Sequence, residues 1–323
     1  MNLTRYLFSL RKHGHASRPK RPAVASGSHA FTGRRWLVAV TLWLLMLPGL
    51  QALAEIETLE ISPDVIMRMP QTGGGMFIAG GSELFRVDPA TQLTNGAISV
   101  LIDRARVDVD SYDGQLDAFS IDIASEVEPS GSGIAFFMRP GEIYTRNGTL
   151  LFDPAAAGLP ANTNINAISV DPVTGDLLFS VEQFIGDVLG PGFIVPADII
   201  SWDGSSLGIF FNGLALPRST DIDAVHVLND GDILMSFDTD VSLPGFLAGT
   251  GGARDHDIIR FNPVTGIFSF EATFADSNPN LIPADVDALF AIEGPTGFTI
   301  GGTVSGLAGS GLVLRNNGGD DLA

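Results

Sequence analysis

The feature that most narrows what this chain can become is a short segment returning at near-constant intervals. It reads as an acidic residue, two apolar residues, two further strand-type residues, then Asp or Asn, usually with Pro or Gly behind it. Copies stand at Glu83-Leu-Phe-Arg-Val-Asp88-Pro89, Glu142-Ile-Tyr-Thr-Arg-Asn147-Gly148, Asp198-Ile-Ile-Ser-Trp-Asp203-Gly204 and Asp257-Ile-Ile-Arg-Phe-Asn262-Pro263, with a degenerate fifth at Gly311-Leu-Val-Leu-Arg-Asn316-Asn317. Successive starts lie 59, 56, 59 and 54 residues apart. Gly and Asn tolerate positive φ and Pro presets a turn, so each copy is a strand feeding a hairpin. A repeat of this length is one supersecondary unit that buries its apolar faces only by packing on its neighbours.

A second signature leads each repeat: Leu116-Asp117-Ala118, Asn164-Ile-Asn166-Ala167, Asp221-Ile-Asp223-Ala224 and Asp285-Val-Asp287-Ala288. In the strand that follows, Phe119, Ile168, Val225 and Leu289 alternate with Ser120, Ser169, His226 and Phe290, the period of two that a pleated strand requires. The best-formed repeat shows four strands, around residues 224–228, 232–237, 257–261 and 267–274, and nowhere does a 3.6-residue period persist for three turns. The expected fold is therefore all-β: a β-propeller of about five four-stranded blades. The last copy shows only three strands, near 287–292, 297–302 and 312–316, so residues 55–62 are expected to supply its missing member and close the ring. An open β-solenoid or two stacked sandwiches are the competing architectures. A membrane β-barrel is disfavoured, because residues 55–323 carry one Trp and two Tyr, too few for aromatic girdles.

Residues 1–54 are a different polymer. They hold eight Lys or Arg and no acid, and Arg34-Arg35 precede an apolar run from Trp36 to Leu50 that ends in Ala52-Leu53-Ala54. That order of charge, apolar run and A-x-A site reads as a signal peptide cleaved after Ala54, with only a weak twin-arginine cast. The run is broken by Pro48 and Gly49 and is short for a membrane span, so no stable membrane insertion is expected after cleavage. The expected product is a secreted or periplasmic single domain over 55–318 with a disordered tail at 319–323.

That domain carries ten arginines and no lysine against 37 acids, a net charge of about −27. Such a field repels nucleic acid and anionic lipid headgroups and attracts cations, including Ca²⁺. With no cysteine there is no disulfide, thiolate metal site or cysteine nucleophile.

The Asp-Ile-Asp-Ala-Val segment at 221–225, the strand Gly231-Asp-Ile-Leu-Met-Ser-Phe237, Leu243-Pro-Gly245 and the Asp-Ile-Ile-x-Phe strand resemble repeats of uncharacterised secreted bacterial β-propeller-like proteins. The resemblance runs over roughly residues 60–318 and implies the propeller, but no activity.

Several local patterns bear on chemistry. Gly204-Ser-Ser206-Leu-Gly208 fits the G-x-S-x-G expression, yet that motif works on a strand-to-helix turn and here it joins two strands, so a hairpin loop is the reading. Asp108-Val-Asp110-Ser-Tyr-Asp113-Gly114 resembles a calcium loop, but its third acid is one place late and its twelfth position is Phe119. Asp117, Asp221, Asp223, Asp285 and Asp287 precede strands expected to line the axis, where a closed ring gathers equivalent carboxylates around a cation; the alternative is that each caps its own turn. Asp255-His256-Asp257 is a second candidate metal group, and a lone His between acids also suits a base. No H-E-x-x-H, phosphate loop or dinucleotide fingerprint is present. The expected function is a non-catalytic binding or scaffold domain using one face or its axial funnel for a ligand or partner protein, with structural calcium. The alternative is a hydrolase of glycosides or phosphate esters using axial carboxylates.

Overall fold

The computed structural model describes residues 55–322 apart from 65–66, 81–82, 92, 101–110, 130–131, 187, 190–191, 245, 247–251, 275–284, 295–313 and 316–320. The leader, residues 297–302 and Asp108 and Asp110 lie outside the described residues.

The chain runs as repeats of one plan, a pair of blade strands, an excursion, then a second pair. Strand β1 (Ile56–Pro63) leads into the hairpin β2 (Met67–Pro70) and β3 (Met76–Ala79), then β4 (Glu83–Asp88) and β5 (Leu93–Val100). Next come β6 (Ser111–Asp113) and β7 (Ala118–Ser120), the hairpin β8 (Ser125–Val127) and β9 (Phe136–Met138), then β10 (Ile143–Thr145) and β11 (Leu150–Phe152). The third repeat has β12 (Ile165–Val170), β13 (Leu177–Val181), the hairpin β14 (Ile185–Gly186) and β15 (Phe193–Ile194), β16 (Ile199–Trp202) and β17 (Leu207–Phe211). The fourth has β18 (Ile222–Val227), β19 (Ile233–Phe237), an excursion closed by a single Val241–Ala253 bridge, β20 (Asp257–Asn262) and β21 (Ile267–Thr273). Then follow β22 (Val286–Glu293), β23 (Leu314–Arg315) and β24 (Asp321–Leu322).

Four four-stranded antiparallel sheets result, in the orders β22-β1-β4-β5, β6-β7-β10-β11, β12-β13-β16-β17 and β18-β19-β20-β21. We call these blades I to IV. The innermost strands β22, β6, β12 and β18 pack each on the next and close on themselves. The protein is a β-propeller of four blades, which corrects the expected five. The head of the described chain does pair with its last blade strand, Leu59 opposite Ala291 and Ile61 opposite Leu289. But β22 completes the first repeat, whose own three strands lacked an innermost member. The partial repeats at the two ends are two parts of one blade. Of the degenerate fifth copy, Leu314–Arg315 pairs with Asp321–Leu322, within the span expected to be a tail.

The core lies between blades, in four apolar clusters that correspond to the four blade interfaces. Ile61, Phe85 and Leu289 of blade I meet Leu234, Ile258 and Phe274 of the blade IV repeat. Blade IV presents Val225, Met235 and Ile259 to Leu178 and Ile199 of blade III. Phe179 of blade III stacks on Phe152 of blade II at 4.7 Å, and Phe119 and Tyr112 of blade II close the ring on Leu84 and Ala288. Each fully buried aromatic or aliphatic side chain contributes roughly 1.5–3 kcal/mol.

A buried serine at the end of the second strand stitches each interface. Ser120 Oγ donates to the Ile165 carbonyl at 3.2 Å, Ser180 Oγ to Ile222 at 2.7 Å and Ser236 Oγ to Val286 at 2.7 Å, each onto the innermost strand of the next blade. Ser62 on β1 is the fourth member by position and is equally buried. These serines satisfy carbonyls that a closed sheet edge leaves without a ladder partner.

Candidate functional site

The repeated acid of the first signature has a local task in all four copies. Glu83 accepts from Gly80 N at 3.0 Å, Glu142 from Arg139 N at 3.1 Å, Asp198 from Val195 N at 2.9 Å and Asp257 from Arg254 N at 3.0 Å. In return each acid's own backbone N–H bonds the carbonyl three residues back, so a carboxylate locks the turn that leads into every third strand. The Asp or Asn closing the segment caps the next hairpin: Asp203 Oδ1 accepts from Ser205 N and Ser206 N, both at 2.8 Å. Gly204 there has φ +90°, and Ser206 Oγ bonds Asp203 rather than any base, so G-x-S-x-G is a turn.

The second signature leads to a different place. Within a blade the innermost strand begins at the end where the second strand finishes, and backbone bonds tie the two: Asp64 N to Asp285 O, Glu182 N to Asn164 O and Asp238 N to Asp221 O, each at 3.3 Å. This upper end therefore collects two sets of polar residues. One is the anticipated set before the innermost strands, Asn164 and Asn166, Asp221 and Asp223, Asp285 and Asp287. The other is Asp64, Asp122, Glu182 and Asp238, an acid following the second strand in every blade, which sequence reading missed. Its signal was the buried serine shortly before it, at positions 62, 120, 180 and 236, intervals of 58, 60 and 56 residues.

Crowding at the upper end raises carboxyl pKa values. Burial, then the charge of Asp238, pushes Asp221 up to about 8, against a side-chain hydrogen bond with Asn166 of the neighbouring blade. Burial, then Asp223, holds Asp285 far above the carboxylate range, with Asp255 and Asp64 adding to the effect. Carboxylates from adjacent blades thus meet as Asp223 with Asp285, while Asp221 meets Asp238 within blade IV. Among the described residues, no group of three or more Asp, Glu or His lies close enough to hold a metal ion.

Asp117 is not part of this assembly. It sits in the turn between β6 and β7, after its innermost strand, at φ +52° and in an ion pair with Arg146 at 2.8 Å. In sequence, Asp108-Val-Asp110-Ser111 running into β6 is what matches Asp221-Ile-Asp223-Ala224 running into β18. Asp255-His256-Asp257 is turned inward on itself. Asp255 Oδ1 takes both the backbone N and ring Nδ1 of His256, at 2.8 and 2.7 Å, while Asp257 is occupied at Arg254 and stands 4.0 Å from Nε2. His226, buried against Phe290 at 4.8 Å, is held neutral, its pKa lowered to about 4 by burial.

The excursions between second and third strands emerge at this same upper end, and three of them carry exposed apolar side chains. Ile78 of β3 is 56% exposed, Phe137 of β9 53% and Phe193 of β15 73%, with Ile123, Ile134 and Phe184 also exposed. Carboxylates near the axis thus share one end of the ring with projecting hydrophobic side chains.

No family model matches the chain, and no curated protein does. Among solved structures, a protein of unknown function from Bacteroides caccae is 13% identical, over 66% of this chain and 72% of its own, with a TM-score of 0.27. YCF48 bound to D1 peptide is 10% identical over 69% of each chain at 0.26. A chain of a nidogen/laminin complex is 11% identical over 72% of this chain and 97% of its own at 0.31. At these scores the likeness adds nothing to the strand order, which by itself defines the propeller.

Proposed function

We propose that this is an exported, non-catalytic binding domain whose upper end docks a polypeptide surface that is basic at its centre and apolar around it. The carrying observation is the coincidence at one end of carboxylate pairs and exposed apolar side chains on the excursions of three blades. Interaction surfaces combine these two ingredients, since desolvated apolar anchors supply affinity and complementary charge supplies orientation and rate. The test is calorimetric titration with two peptides of equal apolar content, one bearing Arg and one bearing Glu between its Phe and Leu residues. The basic peptide binds, more weakly as salt rises, and Phe137→Ser and Phe193→Ser each weaken it. Equal binding of both peptides, or of neither, removes the proposal.

Calcium belongs to the same reading, as an ion relieving the repulsion within the Asp223/Asp285 and Asp221/Asp238 pairs through hard oxygen ligands. A thermal midpoint unchanged between calcium and EDTA at pH 8 eliminates it.

One observation favours a catalytic alternative: a carboxyl held protonated beside a second carboxylate, as Asp285 is beside Asp223, is the arrangement general acid chemistry uses. Turnover of chromogenic glycosides or phosphate esters that disappears in Asp285→Asn would replace the binding reading.

A further inference from the structure

Blade III carries a cavity that the charge pattern of the upper end does not explain. It measures about 800 Å³, within the range of roughly 300–1,000 Å³ in which small-molecule sites fall. Phe184, Phe193 and Ile194 of the excursion form one wall, and Leu214 and Leu216 of the short 3-10 turn Gly213–Ala215 and its exit form the other.

The two walls are fixed to each other by one buried side chain. Asp198 accepts from Val195 N at 2.9 Å, as its counterparts do in other blades, but its second oxygen also accepts from Gly213 N at 2.7 Å. Gly213 is packed so closely that a Cβ there would lie 2.2 Å from the Ala197 carbonyl oxygen. The cavity is thus formed before anything enters it, which removes part of the ordering cost of binding.

Its polar lining is cationic in a domain that is otherwise overwhelmingly acidic. Arg218 lines the cavity and makes no ion pair among the described residues, and Asn212 lies beside the turn. Among the described residues, no Asp or Glu lines it. An unpaired guanidinium at the margin of an apolar hollow is suited to a carboxylate, which it meets with two parallel N–H···O bonds.

From this we infer that the blade III cavity binds a small amphipathic carboxylate, its apolar body between Phe193 and Leu214 and its carboxylate on Arg218. The site shares Phe184 and Phe193 with the apolar side chains of the upper end but none of its carboxylate pairs, so Arg218 and Leu214, which the docking surface does not use, separate the two roles.

The probes are dodecanoate, dodecanol and dodecyltrimethylammonium, titrated below their micellar concentrations against the full domain. Dodecanoate binds most tightly and the cationic probe most weakly. Arg218→Gln weakens dodecanoate at least about tenfold, the loss expected for a charge-assisted contact, and leaves dodecanol unchanged. Phe193→Asp and Leu214→Asp, at positions 73% and 71% exposed where folding tolerates the change, abolish binding of both dodecanoate and dodecanol. The inference is overturned if the native domain binds none of the probes, if dodecanoate and dodecanol bind equally, or if Arg218→Gln leaves dodecanoate unaffected.

Discussion

Replacing Asp221 by Asn should stabilise this propeller at pH 8 and do little at pH 5. Asp221 carries a pKa of about 8 in the folded protein against an ordinary 3.8, chiefly through burial and the charge of Asp238. A raised value means that the folded state holds the proton more tightly than the unfolded chain. The stabilising effect is therefore full below about pH 4 and is lost as pH climbs toward 8. At about 1.4 kcal/mol per pH unit, the loss between pH 5 and pH 8 is at most about 4 kcal/mol. Because the carboxyl is partly exposed, solvent screening brings this to about 2 kcal/mol. Asn keeps the shape and an oxygen for Asn166 but cannot ionise. Thermal melts of wild type and variant at both pH values measure the difference. A gain of about 4–8 °C at pH 8, shrinking toward zero at pH 5, is expected for a domain of this size. Exposed Asp240→Asn serves as the control for the general benefit of removing one negative charge. A variant no more stable than this control at pH 8, or a gain independent of pH, would refute the reasoning.

Ser236→Ala removes the hydroxyl that satisfies the Val286 carbonyl across the blade IV to blade I interface, and should cost about 1–3 kcal/mol in denaturant melts, whereas the half-buried Ser125→Ala, which gives up only a 3.4 Å contact with the Glu126 carbonyl, should cost clearly less. Phe179→Ala opens the interface between blades II and III and should cost about 3–5 kcal/mol. His226 should titrate near pH 4 by NMR, so its contribution to stability is complete above pH 6.5 and lost as pH falls toward 4; a titration near 6.5 would show that the ring is solvated. Asp198→Ala should cost more stability than Glu83→Ala, because it releases Gly213 as well as the turn at Val195.

The local grammar of this chain was open to reading, down to the hairpin at Gly204 and the pairing of residues 55–62 with the last blade strand. Turn chemistry and a two-residue period act over a few residues, so they survive in a linear string. The upper end was half visible. Asp221, Asp223, Asp285 and Asp287 were singled out for it, but Asp117 was drawn in because Leu116-Asp117-Ala118 shares the Asp-Ala ending of Asp223-Ala224. The ladder pairing Asp113 with Ala118 puts Asp117 past its innermost strand instead. Which strand is innermost is a property of pairing across the sheet, and adjacent residues do not encode it.

The amino-acid order determined that this would be an all-β array of hairpins held by repeating turns, because those preferences are intrinsic to each segment. Only tertiary closure decided that there are four blades, since β22 finds its neighbours more than 200 residues upstream and turns two incomplete repeats into one sheet. Closure also decided which carboxylates crowd together and which arginine lines the cavity, because charge proximity and cavity walls depend on distances in space that chain separation does not set.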